Sequence, residues 1–517
     1  MPPENPEPDP VEPEDPRKPA RPPVGGGDPD NGNHDDLTWK PRSYCHQPDS
    51  MFRLATNFDP RFISSNSLTV IQELIKTDNP SQRQPHIEGE VVLRRSPDAS
   101  PYGEIVVEMI SNQRDFGQAS HITYDSSNQK LVVGTPRSVE WPYSSGPCLQ
   151  MRITVYAPEN SALENLSVHT TQLNIDVVKG LDLWVQNDAL LQTVSGDIST
   201  PKPQSGNGQD EESDPYAISK RRTIVKTISG DIKGFYALND LLQVDSISGT
   251  ISIVIAPKEV DPEIPSPAKL IISTKSGDVT AEEPIDLSAT VTGETSSSRS
   301  SSRKRSFPAR DYVVDINSIS GTIHAALAFS SSANVHSQSS TLKLKLLPIL
   351  DPSADSTRSR PTLETKTKSG DTQLVLLDPI WTGILQPNDQ RLIGPGRGDD
   401  DKDGEDDEEK DPWIIIHPDD ILVDTHTTET RAFGNLNSHH GSISGTIKLH
   451  YPSSWEGGLR VETISGTQKV KGEGLDLYDV SNPVTRTVMG RKGKGTSDLK
   501  VSTVSGTEDV FIGKVSS

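Results

Sequence analysis

Thr227-Ile228-Ser229-Gly230-Asp231-Ile232 is followed nineteen residues later by Ser246-Ile247-Ser248-Gly249-Thr250-Ile251. The order is a hydroxyl residue, a variable residue, Ser-Gly, then Asp or Thr, and in most copies an aliphatic residue. Nine copies occur, with their glycines at Gly196, Gly230, Gly249, Gly277, Gly321, Gly370, Gly445, Gly466 and Gly506. Short β-prone runs flank each copy, so each reads as two strands joined at a Ser-Gly corner. Glycine turns such a corner without a Cβ clash. Asp or Thr after it can bond back to backbone groups of the turn. A repeat of this kind decides architecture, because each unit buries its apolar face only against its neighbours.

The spacing fits stacked windings. Gly230 to Gly249 is 19 residues, and Gly445 to Gly466 is 21. A coil of about 20 residues, lengthened at some levels by insertions, accounts for the series. Strand spacing sets each level about 4.8 Å above the last. Stacking predicts rows of Ser and Thr along an exposed edge. The fifth position is Asp at 197, 231, 278 and 371 and Thr elsewhere, which avoids an unbroken row of like charges. Lys275 and Lys368, three residues before Asp278 and Asp371, are read as charge compensation at the corner. The expected fold is therefore all-β: a parallel β-solenoid, or β-helix-like array, with an antiparallel N-terminal cap.

Composition sets the bounds. The 517 residues are 32% hydrophobic with a formal net charge of −22, and mean hydropathy is −0.55. So acidic a chain lacks the basic footprint of nucleic-acid binders. Residues 1–36 are Pro-, Glu-, Asp- and Gly-rich and are expected to be disordered. Residues 37–155 carry strand-like runs and are expected to cap the first coil, since a solenoid end exposes apolar edges. The solenoid is assigned to 156–517, with 165–178 as a worn first coil lacking Ser-Gly. Insertions are expected at 201–215, 293–310, 351–361 and 393–412. Met1–Pro10 is acidic and proline-rich, unlike a secretory signal, and no apolar run of about 18 residues marks a membrane span.

Candidate chemistry is sparse. Asp399–Gly404 matches the first half of a calcium loop, but Lys410 stands where a bidentate Glu is needed. A solvated charge run explains it better. Arg397-Gly398-Asp399 is an adhesive tripeptide that arises readily by chance. Ser297–Arg305 is a basic, phosphorylatable stretch, and Asn165-Leu166-Ser167 is a glycosylation sequon. The two cysteines, Cys45 and Cys148, precede the repeats and could pair in an oxidising compartment. His439-His440 has no carboxylate near it in sequence. The repeated Asp residues are explained by their corners, and the Ser of Ser-Gly-Asp is not a hydrolase elbow. No catalytic residue, metal site or cofactor is assigned.

The copies typified by Thr227-Ile228-Ser229-Gly230-Asp231-Ile232 resemble the putative-adhesin β-solenoid family of bacteria and fungi, over roughly residues 160–517. The resemblance implies a coiled parallel β-structure, a non-enzymatic scaffold or surface-binding role, and a location at the cell surface or membrane. It brings no ligand and no catalytic residue. Members often carry an apolar anchoring segment, which this sequence lacks. The expected partner is a protein or a glycan, not nucleic acid. Two alternatives stand beside it. One is a polysaccharide-active β-helix using Asp231 or Asp278. The other is an intracellular scaffold regulated by phosphorylation of 297–305.

Overall fold

The computed structural model describes residues 52–75, 83–97, 102–112, 119–140, 146–202, 215–219, 221–261, 263–285, 307–308, 310–351, 360–381 and 432–514. The acidic stretch, the calcium-like and Arg-Gly-Asp sequences, the 297–305 stretch, Cys45 and the N-terminal 36 residues lie outside these. Among the described residues every regular element is a strand. Each winding contributes one strand to each of two ladders, joined at the Ser-Gly corner. Arg222–Thr227 and Ile232–Leu238 form one winding, and Leu241–Ser246 and Ile251–Pro257 form the next. Both ladders are parallel and in register, so Thr227 faces Ser246 and Ile232 faces Ile251.

Alternation drives this arrangement. In Arg222–Thr227 the buried residues are Thr223, Val225 and Thr227, and the residues between them face out. Strand geometry sends alternate side chains to opposite faces. Beyond the corner, Ile198, Ile232, Ile251, Val279, Ile323 and Leu342 stack as a continuous buried row. Burying each such side chain contributes about 1.5–3 kcal/mol.

The corners touch directly. A Cβ built on Gly230 would lie 1.7 Å from the carbonyl oxygen of Gly196, and one on Gly249 1.7 Å from that of Gly230. Glycine is required there by the approach of one winding to the next. The file continues through Gly277 and Gly321. At the next level the residue is Ser340, in Ser337-Gln338-Ser339-Ser340-Thr341, a corner with serine in place of glycine. The 49-residue gap between Gly321 and Gly370 therefore contains a complete extra winding.

At the C-terminal end the chain order breaks. Gly506 stacks on Gly445, and Gly466 stacks on Gly506. Ser497–Ile512 is inserted between the winding Asn437–Tyr451 and the long strand Gly457–Gly472. The 21-residue spacing from Gly445 to Gly466 thus does not join adjacent levels. Arg486–Lys492 then runs antiparallel on Gly457–Thr463, and Leu475–Asp479 runs antiparallel on Arg486–Lys492.

The N-terminal end is mixed. Leu68–Ile75 and His86–Arg95 extend the two parallel ladders onto Leu166–Thr170 and Asn174–Val177. Antiparallel pairing is found further out, where His121–Asp125 joins Lys130–Pro136 and where Phe52–Phe58, Glu104–Ser111 and Cys148–Ala157 pair in turn. Cys148 is buried and disulfide-bonded.

Arg310, at the end of the stretch read as a Ser/Arg insertion, is fully buried. Its guanidinium donates to the carbonyls of Lys258 at 2.9 Å, Glu259 at 3.2 Å and Ser266 at 2.7 Å, and to Asp240 Oδ1 at 3.2 Å. One cation thereby ties three segments of the return path to the strand that starts at Tyr312.

Gly249→Ala is expected to destabilise the protein by about 2–3 kcal/mol or more, because backbone must move to admit the methyl group. Gly458→Ala, where a Cβ meets nothing within 4 Å, is expected to change stability by less than about 1 kcal/mol. Urea unfolding of the two variants checks the contrast, and equal effects would contradict the stacking.

Candidate functional site

The corner is held by three bonds that recur with variations. The first hydroxyl of the motif points inward, and in several copies it accepts the glycine N–H three residues on. The pairs are Gly196 N to Thr193 Oγ1 at 3.0 Å, Gly230 N to Thr227 Oγ1 at 3.0 Å and Gly249 N to Ser246 Oγ at 2.9 Å. For this first hydroxyl, the structure corrects the expectation of an exposed hydroxyl edge. Thr193, Thr227, Ser246, Thr274 and Ser318 are all buried, and at the first three the hydroxyl satisfies the glycine N–H away from water. The second hydroxyl faces solvent and donates to a carbonyl of the neighbouring winding, as Ser248 does to Ile228 at 3.2 Å and Ser320 to Lys275 at 3.2 Å.

The fifth residue has a defined task. Asp197 Oδ1 accepts Asp231 N–H at 2.8 Å, and Asp231 Oδ1 accepts Thr250 N–H at 2.9 Å. Asp278 and Asp371 do the same for Thr322 and Thr446, at 2.7 and 2.8 Å. The bond runs across windings, not back into its own turn. Lys275 and Lys368 make no ion pair with Asp278 or Asp371; they line a groove that does not include those carboxylates. Asp231 pairs instead with Lys233, at 2.6 Å. Burial pushes the Asp231 carboxyl up, but Lys233 and the Thr250 N–H outweigh it and hold it below the usual range.

These bonds leave the variable residue exposed. Val194, Ile228, Ile247, Ile319, Ile443, Val504 and Ile464 stand 36–52% accessible on the same side of successive corners. Lys275, Gln338 and Lys368 fill the three remaining levels. Ten levels give a row about 43 Å long. From Ile228 onward, together with the outward residues two positions earlier, it lines a groove of about 1110 Å³. Lys226 and Asp245 pair across that groove at 3.3 Å. Lys275 and Lys368 have no ion-pair partner among the described residues. The row was present in the sequence as the second residue of each motif copy. Only the burial pattern shows that these β-branched residues face water.

His439 and His440 separate. His439 Nδ1 lies 3.8 Å from Glu364 Oε1, and His336 Nε2 lies 3.4 Å from Glu364 Oε2 on the outer face. Lys366 also bonds Glu364. His440 takes a core position, between Thr365 Oγ1 and the Tyr451 hydroxyl, each at 2.8 Å. Asn165 of the sequon uses its amide nitrogen to bond Ser67 Oγ at 3.0 Å, so a glycan there would displace an internal contact. Among the described residues no group of three or more His, Cys, Asp or Glu is arranged to hold a metal ion. Asp231 and Asp278 are two levels apart, about 9.6 Å, with Thr250 between them and each carboxylate holding an N–H.

Three buried groups titrate far from their usual values. Burial pushes Glu283 up to about 8 and Glu508 up to about 7, and it lowers His440 to about 3. Both acids hold a proton more tightly folded than unfolded. Their stabilisation is complete below the ordinary value of 4.5 and is lost as pH rises through 7 and 8. His440 acts oppositely: its stabilisation is present above 6.5 and is lost as pH falls toward 3. Glu283→Gln is expected to gain melting temperature relative to the parent as pH rises from about 5 to 9. Thermal scans across that range check it, and a constant difference would contradict the burial of an ionisable carboxyl.

No family model matches the chain, and no curated protein matches it. Among solved structures, a "putative adhesin" from Parabacteroides distasonis shares 11% identity, covering 65% of this chain and 96% of that one, at a TM-score of 0.24. A "putative adhesin" from Bacteroides fragilis shares 8%, covering 64% and 96%, at 0.25. A "putative cell adhesion protein" from Clostridium sporogenes shares 7%, covering 90% and 99%, at 0.14. Identity and TM-score are low in every case, and none of them assigns the chain to a family.

Proposed function

We propose that this chain is a non-enzymatic, adhesin-like binding protein. Its corner groove holds an extended segment of another protein carrying both apolar and acidic side chains, at a cell surface. The observation that carries this reading is the exposed Val and Ile row interrupted by Lys275 and Lys368. Apolar side chains in a regular exposed row offer area to an apolar partner. Two unpaired ammonium groups in that row, within a chain of net charge −22, favour a partner with carboxylates there. A glycan is the weaker candidate, since among the described residues no Trp, Tyr or Phe lines the groove for a sugar face to stack on.

Fluorescence anisotropy tests this with a labelled peptide of alternating Glu and Val, against a Lys-Val peptide and polygalacturonate. The Glu-Val peptide is expected to bind and to weaken with added salt, because the exposed charges are screened within about 8 Å at physiological ionic strength. Lys275→Glu with Lys368→Glu is expected to weaken it by about tenfold or more. Equal binding of the Lys-Val peptide, or no binding of either peptide, would overturn the reading. Preference for polygalacturonate would move the ligand class to acidic glycans.

A further inference from the structure

The two ladders end differently at the C-terminal side. The second ladder ends on the latter half of Gly457–Gly472, whose outer edge beyond Thr463 carries the exposed residues Thr467, Lys469 and Lys471. Lysine on an open edge discourages pairing with another strand. The first ladder ends on Leu475–Asp479, which pairs only with Arg486–Lys492 among the described residues. That edge has no lysine. Leu477 is 44% and Tyr478 56% exposed, and Val480 just beyond is 50% exposed.

The backbone direction of this edge is fixed by its neighbour. Val480 N–H donates to Thr487 O at 2.9 Å. In an antiparallel pair, alternate residues direct both backbone groups to the same side. Asp476, Tyr478 and Val480 therefore face Arg486–Lys492, and Leu475, Leu477 and Asp479 direct N–H and C=O to the open side.

We propose that this edge pairs with the same edge of a second copy, antiparallel across a two-fold axis at Leu477. A two-fold through an antiparallel pair must pass between equivalent residues. Centring on Leu477 makes Leu477 face Leu477 as a hydrogen-bonded pair. It sets Leu475 against Asp479 and Asp476 against Tyr478. All five residues are used, and no two carboxylates face each other. Centring on Asp479 would oppose two aspartates, which is unfavourable. Centring on Leu475 would leave Asp476, Leu477, Tyr478 and Asp479 outside the five-residue pairing, and centring on Tyr478 would leave Leu475 and Asp476 outside it. Of the two-folds that set outward backbone groups opposite one another, only the one at Leu477 pairs all five residues of Leu475–Asp479 with each other, and it does so with no two carboxylates face to face. The partner is a second copy of this chain, and its seat is separate from the corner groove.

Sedimentation velocity of the full chain over about 1 to 200 µM tests this, a five-residue strand pair being a small, weak interface. The parent is expected to move from monomer to dimer and stop there. Tyr478→Asp sets two aspartates opposite Asp476 of each partner and is expected to raise the dissociation constant by about tenfold or more. Asp476→Lys combined with Tyr478→Asp replaces both clashes by Lys–Asp pairs and is expected to restore dimerisation. Leu477→Glu, which opposes two glutamates on the axis, is a second disrupting variant should Tyr478→Asp fail to fold. Each variant is compared with the parent by circular dichroism and melting temperature. A parent that stays monomeric, open-ended growth beyond a dimer, disrupting variants that dimerise like the parent, or a double variant that remains monomeric would each overturn the proposal.

Discussion

The corner glycines pack directly on the carbonyl oxygen of the neighbouring winding. At Gly230 and Gly249 the space where a Cβ would sit is already taken by that oxygen. The rest of the corner follows from the contact. At Gly196, Gly230 and Gly249 the glycine N–H is turned inward and the Thr or Ser three positions earlier accepts it, whereas at Gly370 and Gly445 it donates to a carbonyl of the neighbouring winding. The next N–H along the chain faces the adjacent winding, and an Asp carboxylate on the neighbouring level accepts it. What reads in one dimension as a five-residue motif is a bonding pattern spread over two levels.

The same pattern explains where polarity is tolerated inside. Most levels of the first ladder place an aliphatic residue two positions before the buried hydroxyl, as Val225, Val244, Ile272, Ile316 and Val335 do. Thr365 and His440 take this place at two successive levels and bond each other. The imidazole also meets Tyr451, so both its nitrogens are satisfied and it stays neutral. Glu508 replaces an aliphatic residue in the second ladder, where Ile447 is its neighbour. Its partner Gln468 Nε2 lies 3.0 Å away on the last long strand. A buried carboxyl is costly unless protonated or bonded, and burial keeps this one near neutrality in pKa.

Much of this was legible in the sequence. The repeat pointed to the parallel coiled architecture, and the strand-like character of 37–155 is met by strands such as His86–Arg95, Lys130–Pro136 and Cys148–Ala157. Four features were not legible, each for a physical reason. The Ser340 corner escaped because the pattern was defined by glycine, and only its place in the file identifies Ser-x-Ser-Ser-Thr as a corner. The inversion of Gly466 and Gly506 could not be read, because in-register parallel strands accept any copy of the motif at any level. The exposure of Val194, Ile228 and Ile319 was hidden because a β-branched residue beside a turn suits a buried face as well as an open one. Arg310 looked like the end of a polar insertion. Its four acceptors come from Asp240, Lys258, Glu259 and Ser266, too far apart in sequence to be linked beforehand.

The stacking order of the corners, with Gly506 lodged between Gly445 and Gly466, is most directly tested by cysteine cross-linking on the exposed row. Ile443 and Val504 lie on adjacent levels, about 4.8 Å apart between Cα atoms, whereas Ile443 and Ile464 are two levels apart. A disulfide needs Cα atoms within about 4.4–6.8 Å. Mass mapping after mild oxidation is expected to find the cross-link in Ile443→Cys/Val504→Cys and none in Ile443→Cys/Ile464→Cys. A cross-link in the second pair and not in the first would mean that the windings stack in chain order, contrary to the order described above.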